Sequence, residues 1–368
     1  MPRTSVISRK DLRSSGVRRP WSLILIALLL AACQAQAAVR GTPTAKAIGQ
    51  RPAIIYVANA GEMVELDWAG RTVGSVSAQG FAGPSADGSR FLRYGNHLMV
   101  EDSSGHALGQ LAEDPAAYGV ALWADDGRHV CGIVLASNAG PDSGEGSLWI
   151  GAPGEPGRKF GPAGKPGSAP AVAACSLKNG RAVVVGGLFP HWPPQATRYL
   201  ITTDVQVVNL ATGAVEYEHK YPLGYLAGEG DPSARPNWVL DAVSPDARYV
   251  AESSVFDDST TIRELPSGKP LAALRGRVVG FAGDGSRLVM NTGTPAEVQL
   301  LSWADQHVIW HHPGGAQSML AKPGSDDVLI NITNQGGATE LFAITEVGTN
   351  VIASEATVSW PCPCLPGV

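Results

Sequence analysis

Residues 278–310 read VVGFAGDGSRLVMNTGTPAEVQLLSWADQHVIW and hold four short runs with apolar residues, each followed by turn residues. The runs Val278–Phe281, Arg287–Met290, Val298–Leu301 and His307–Trp310 have the length of strands and are too short for helices. Asp284-Gly285 sits between the first two. An Asp-Gly pair suits a tight hairpin because glycine accepts the positive φ that such a turn needs. A second turn around Asp305 separates the last two runs. The stretch therefore reads as strand a, turn, strand b, loop, strand c, turn, strand d: a four-stranded meander.

The same order recurs along the chain. The a–b turn stands at Asp87-Gly88, Asp126-Gly127, Asn179-Gly180, Asp246-Ala247, Asp284-Gly285 and, degraded, Ser325-Asp326. The c–d turn stands around Gly70, Gly105, Gly154, Gly213, Gly268, Asp305 and Gly348. There are thus seven c–d turns and six a–b turns. The first unit starts at its strand b, Ile54–Val57, and the chain ends on an unmatched run, Thr357–Trp360. A closed ring resolves both, because the last strand can complete the first unit and leave no open sheet edge. The predicted fold is all-β: a seven-bladed β-propeller over residues 53–360, with the C-terminal strand closing the first blade and residues 361–368 as a tail. The 336 residues from Cys33 onward give about 48 per unit, near the usual blade length. Tandem β-sandwiches would leave the missing first strand and the terminal run unexplained.

Composition agrees. Hydrophobic residues make 44% of the chain, enough for a large core, while 44 Gly and 27 Pro are too many for a helical bundle. Residues 1–32 hold six basic groups and one acidic group. Removing them from totals of 28 and 33 leaves 22 and 32, a net charge of −10. A body of that sign gains nothing from phosphate counterion release, so nucleic acid is not expected as a partner.

A basic segment precedes the apolar run Leu23–Ala32, which is too short for a stable membrane span and fits the core of an export signal. The run ends in Leu30-Ala31-Ala32-Cys33, which resembles the bacterial lipobox. That resemblance implies a lipoprotein signal peptide over 1–32, lipid attached to Cys33, and a cell-membrane location on the extracytoplasmic side through the lipid anchor alone. Ordinary secretion, with cleavage after Ala35-Gln36-Ala37, is the alternative. Ser8–Leu12 lacks the second Arg of a twin-arginine motif. Residues 33–52 have no strand or helix periodicity and read as a flexible tether.

Ser244-Pro245-Asp246-Ala247-Arg248-Tyr249-Val250-Ala251 resembles the Ser-Pro-Asp-Gly-Lys-x-Val-Ala core of bacterial WD-repeat-like and YVTN-type propellers. The resemblance implies the fold and carries no functional residues with it, since these propellers serve as scaffolds, sensors and enzymes.

Apart from Cys33, four cysteines remain. Cys131 begins strand b of the third unit and Cys175 ends strand a of the fourth, both next to turns on the same end of neighbouring blades. A disulfide between them is expected, with two buried core thiols as the alternative. Cys362-Pro363-Cys364 reads as an internal disulfide, a free pair or half of a metal site. No His or Cys stands at ligand spacing beside it, so no metal or other cofactor is expected. The eight histidines form no ligand or catalytic motif, and His311-His312 face opposite sides of a strand. Gly161–Pro166 lacks the Ser/Thr and the helix of a phosphate loop and reads as a loop between blades. Ser85–Ser89 begins like a sialidase Asp box with its Gly one position early.

In a meander blade the a–b and c–d turns leave one end, and the b–c and d–a connections leave the other. Insertions at residues 138–147, 161–170, 188–199 and 222–238 all fall on the second end. Scaffolded folds carry recognition on such loops. Phe189, His191, Trp192, Tyr225, Arg235 and Trp238 are therefore the candidate contacts to a protein or small-molecule ligand, with loop packing as the plainer role. The sequence points to a binding or interaction module; a hydrolase or lyase at the channel mouth and an accessory of envelope assembly are the alternatives.

Cys33→Ser is expected to release the protein from the membrane fraction. A variant that stays membrane-bound, with no lipid mass on the wild-type chain, overturns the anchor.

Overall fold

Serine and glycine set the turns that define each blade. In the computed structural model, Ser244 Oγ accepts from the backbone N–H of Arg248 (3.1 Å) and Tyr249 (2.8 Å) and donates to Asp246 Oδ1 (2.6 Å). Ser85 does the same work in the corresponding turn of blade 2, accepting from Arg90 N at 3.0 Å. The residue at the tip takes positive φ: 63° at Gly127, 88° at Gly285 and 58° at Ala247, where alanine stands in for glycine. A side chain there costs about 1–2 kcal/mol; the fully buried Ala247 methyl offsets part of that by packing into the core.

The structure describes residues 55–354 except 60, 86–87, 96, 113–120, 136–145, 164–167, 189–200, 224–237, 255–257, 283, 294–295, 322–325, 335 and 346–347. The first sheet has three strands, β1 (Ile55–Asn59), β2 (Glu62–Leu66) and β3 (Thr72–Ser77). Blade 2 comprises β4 (Phe81–Pro84), β5 (Arg90–Tyr94), β6 (Leu98–Asp102) and β7 (Ala107–Gln110). Blade 3 comprises β8 (Leu122–Trp123), β9 (Val130–Leu135), β10 (Gly146–Gly151) and β11 (Arg158–Ala163). Blade 4 comprises β12 (Ser168–Ser176), β13 (Arg181–Leu188), β14 (Ile201–Asn209) and β15 (Val215–Leu223). Blade 5 comprises β16 (Trp238–Val243), β17 (Tyr249–Ser254), β18 (Ser259–Glu264) and β19 (Pro270–Arg275). Blade 6 comprises β20 (Arg277–Ala282), β21 (Arg287–Thr292), β22 (Glu297–Ser302) and β23 (His307–Pro313). Blade 7 comprises β24 (Gly315–Ala321), β25 (Val328–Thr333), β26 (Thr339–Thr345) and β27 (Gly348–Ser354). Every pairing is antiparallel between sequence neighbours, and the whole is a seven-bladed β-propeller.

First strands of successive blades lie against one another, β8 on β12, β16 on β20 and β20 on β24, so they face the axis. Fourth strands form the exposed perimeter, as the burial of β3, β7, β19 and β23 shows. Among the described residues the core is divided into seven apolar clusters, one per junction between blades. Leu92, Trp123 and Trp149 join blades 2 and 3, and Val205, Leu240 and Val250 join blades 4 and 5. Ring closure is the seventh: Ile55, Val57 and Leu66 of blade 1 pack on Leu329, Leu341 and Ala343 of blade 7. The fit is close. A Cβ on Gly70 would stand 2.8 Å from Ile352 Cγ2.

Among the described residues the first sheet has no strand a before β1, as the repeat count predicts, and β1 ends that sheet. Thr357–Trp360, the expected closing strand, lies outside the described residues, as do the expected signal segment, tether and tail. One loop expectation is corrected. β11 continues through Gly161-Pro162-Ala163 and β12 starts at Ser168, so only residues 164–167 connect them. Pro162 fits because β11 is the outer edge of its sheet, where the missing N–H is not needed for pairing. Conversely, residues 111–121 between β7 and β8 form a long connection that the turn pattern did not reveal.

Removing residues 355–368 should expose the free edge of β1 and cost several kcal/mol of pairing and burial, read as a lowered melting temperature. Unchanged melting would show that the C-terminal run takes no part in closure.

Candidate functional site

The two ends of the propeller differ in chemistry. At the end carrying the b–c and d–a connections, blade 5 buries a polar chain beside the axis. The Asp241 carboxylate accepts from Ser253 Oγ and, at 3.0 Å, from Arg277 Nη2 on the neighbouring blade. Ser253 Oγ lies 2.8 Å from Thr260 Oγ1, which donates to Gly276 O at 2.5 Å. The Asp241 side chain is only 4% exposed. Burial pushes its carboxyl above the usual range, against the opposing pull of Ser253, Arg277 and Val278 N–H. On the opposite face of the same blade, buried Glu252 accepts from Arg263 Nε at 2.7 Å.

Of the six contact residues expected from sequence, Trp238 opens β16 with its backbone opposite Ser254, three positions before Asp241. Phe189, His191, Trp192, Tyr225 and Arg235 lie outside the described residues, in the connections from Leu188 to Ile201 and from Leu223 to Trp238. Both connections leave this same end.

At the short-turn end, a half-open cleft of about 370 Å³ lies between blades 3 and 4. Its apolar lining is Ile150, Pro156, Phe160, Leu177 and Leu210, and its rim carries His129, Glu155 and Arg158. The a–b turn of blade 3 supplies His129, whose Nδ1 lies 2.5 Å from Asp126 Oδ2 and whose Nε2 lies 3.5 Å from Glu155 Oε2. Arg128 also pairs with Glu155. Burial opposes ionisation of Asp126, but N–H bonds from His129 and Arg128 and the His129 ring outweigh it and hold the carboxyl below its ordinary range. Arg158 lies over Phe160, 5.0 Å from the ring centre, and donates to Leu210 O at 3.0 Å across the blade junction.

Covalent and polar links hold the walls of this cleft together. The structure joins Cys131 of β9 to Cys175 of β12, with Cα atoms 6.4 Å apart. Closing a 44-residue separation stabilises a fold by about 4 kcal/mol in the chain-entropy account. Beside it, Asp125 accepts from Ser176 Oγ (2.6 Å), Leu177 N (2.8 Å) and Lys178 N (3.3 Å). Sequence reasoning found the disulfide but missed the cleft. Its residues come from four turns and the strand ends beside them, and only the repeat register, carried across two blades, brings those turns together. Among the described residues no group of three or more His, Cys, Asp or Glu is placed to hold a metal.

Neither a family model nor a curated protein matches the chain. Solved propeller structures do. The WD40 repeats of RRP9 are 13% identical, with a TM-score of 0.40, over 82% of this chain and 85% of that one. BamB from Moraxella catarrhalis is 15% identical, with a TM-score of 0.36, over 84% and 89%. Dihydro-heme d1 dehydrogenase NirN is 16% identical, with a TM-score of 0.41, over 80% of this chain; the match spans 61% of that protein. The blade order described above carries the fold assignment.

Asp126 contributes stability that is present above the unfolded carboxylate pKa of about 3.9 and is lost as pH falls through its lowered folded value. Asp126→Asn keeps the acceptor oxygen and removes the charge. Its denaturant midpoint should be lower than wild type at pH 7, with the gap closing as pH falls below about 3.9. A gap constant with pH would show that the charge contributes nothing.

Proposed function

We propose that the chain is an exported, lipid-anchored propeller that works on the extracytoplasmic side of the membrane as an interaction module. Its partner, a protein or a small ligand, docks on the long-connection end of blades 4 and 5. One observation carries the reading. The 12-residue connection between Leu188 and Ile201 and the 14-residue connection between Leu223 and Trp238 leave the same end of adjoining blades. Beneath that end lies the buried chain of Asp241, Ser253 and Thr260, with the half-exposed Arg277 at its end. A rigid floor under long, aromatic-bearing connections is the arrangement by which scaffolded folds recognise partners. Phe189, His191, Trp192, Tyr225, Arg235 and Trp238 are the proposed contacts, with Cys33 holding the module at the membrane.

The test starts from a partner captured from envelope extract with the anchored protein. Trp192→Ala and Trp238→Ala should each weaken that partner's binding by roughly 30-fold, the effect of truncating a buried aromatic contact. Lys269→Ala, on a turn at the other end, should leave it unchanged. Full affinity in both tryptophan variants would remove this surface from consideration.

A further inference from the structure

The cleft between blades 3 and 4 lies at the opposite end from the long connections, and its chemistry selects a different kind of occupant. We propose that it is a second binding site, for a peptide segment in which one or two large apolar side chains are flanked by acidic residues.

Three observations define that occupant. First, the volume of about 370 Å³ falls within the usual range of roughly 300–1,000 Å³ for ligand pockets, and the lining of Ile150, Phe160, Leu177 and Leu210 calls for apolar groups. Second, the acidic groups around the cleft are already engaged by the protein: Asp125 by Ser176, Leu177 and Lys178, Asp126 by His129, and Glu155 by Arg128 and His129. Third, the cations keep capacity. Arg158 is exposed and, among the described residues, spends one of its N–H donors on Leu210 O, while a guanidinium offers five. Lys178, next to Leu177, is exposed as well. The rim therefore presents unspent donors to carboxylates around an apolar floor, on a chain whose exported part is net acidic. The Arg158 guanidinium lies over the Phe160 ring at the edge of the cleft, and a guanidinium fork suits a carboxylate pair. The disulfide and the Asp125 bonds fix both walls before anything binds, so little ordering has to be supplied by the occupant.

The probe is a labelled decapeptide, Gly-Ser-Gly-Glu-Leu-Phe-Glu-Gly-Ser-Gly, with two counterparts: Lys for both Glu, and Ser for Leu and Phe. Binding to the full mature protein is followed by fluorescence anisotropy. The first peptide should bind, and each counterpart should bind at least tenfold more weakly. Arg158→Gln and Leu177→Ser should each reduce binding about tenfold. Arg158→Lys should retain more of it than Arg158→Gln, and Arg158→Glu should reverse the preference toward the lysine peptide. Thermal melting of each variant separates loss of binding from loss of fold. Equal binding of the acidic and lysine peptides, undiminished binding to Arg158→Gln, or no binding of the acidic peptide overturns the proposal. So does binding to phosphatidylglycerol vesicles that Arg158→Gln abolishes while the peptides stay unbound, since that assigns the cleft to a lipid surface. Trp192→Ala and Trp238→Ala should leave peptide binding intact, so the two sites stand or fall separately.

Discussion

Each blade of this protein is apolar on both broad faces, and that single constraint organises the rest. A sheet with one buried face can be covered by one layer, whereas a sheet with two needs a neighbour on each side. An open stack would always leave two faces wet. Seven blades in a ring leave none, and the seven clusters, including the packing of Ile55, Val57 and Leu66 on Leu329, Leu341 and Ala343, are the physical statement of that closure. Polar links follow the same circuit. Tyr56 donates to Gly88 O, Trp123 to Gly83 O, Asn179 to Asp246 O, and Arg287 pairs with Asp326, each crossing from one blade to the next.

The ring also divides the surface into two kinds of place. Turns at one end are short, and their side chains are used up in locking them, as at Ser85, Asp126 and Ser244. At the other end, connections between the same paired strands lengthen in blades 3 and 4 without disturbing a ladder. Between blades 3 and 4, apolar Leu177 and Leu210 sit at turn positions of the short-turn end and face a wall of His129, Glu155 and Arg158. The result is a concave surface among the short turns.

The architecture was legible in the sequence because its signals are local. Asp-Gly turns, the run lengths between them and the missing first strand can all be read within a few residues. The pairing of Cys131 with Cys175 was legible for the same reason, since both lie beside turns whose register the repeat supplies. Strand ends were less so. Gly161-Pro162 looks like a loop until the edge position of β11 removes the need for a ladder donor. The cleft was not legible at all, because its lining depends on which turns meet across a blade junction. The buried Asp241 chain was equally hidden. Nothing in the local sequence of Asp241, Ser253, Thr260 or Arg277 marks them as partners, and three strands of blade 5 must pair and the first strand of blade 6 must pack on them before they meet.

Closure also sets an order of events. Within a blade, every strand pairs with its sequence neighbour, so the hairpins form from contacts a few residues apart. The packing of Ile55 against Leu329 joins points 274 residues apart, and closing so long a loop costs about 5 kcal/mol in chain entropy by itself. That contact becomes affordable only once the intervening blades have shortened the path. A chain made N-terminus first must therefore hold the apolar face of its first blade open until the seventh is made. The interval between those two events, rather than the stability of any blade, is when this protein is most exposed to aggregation.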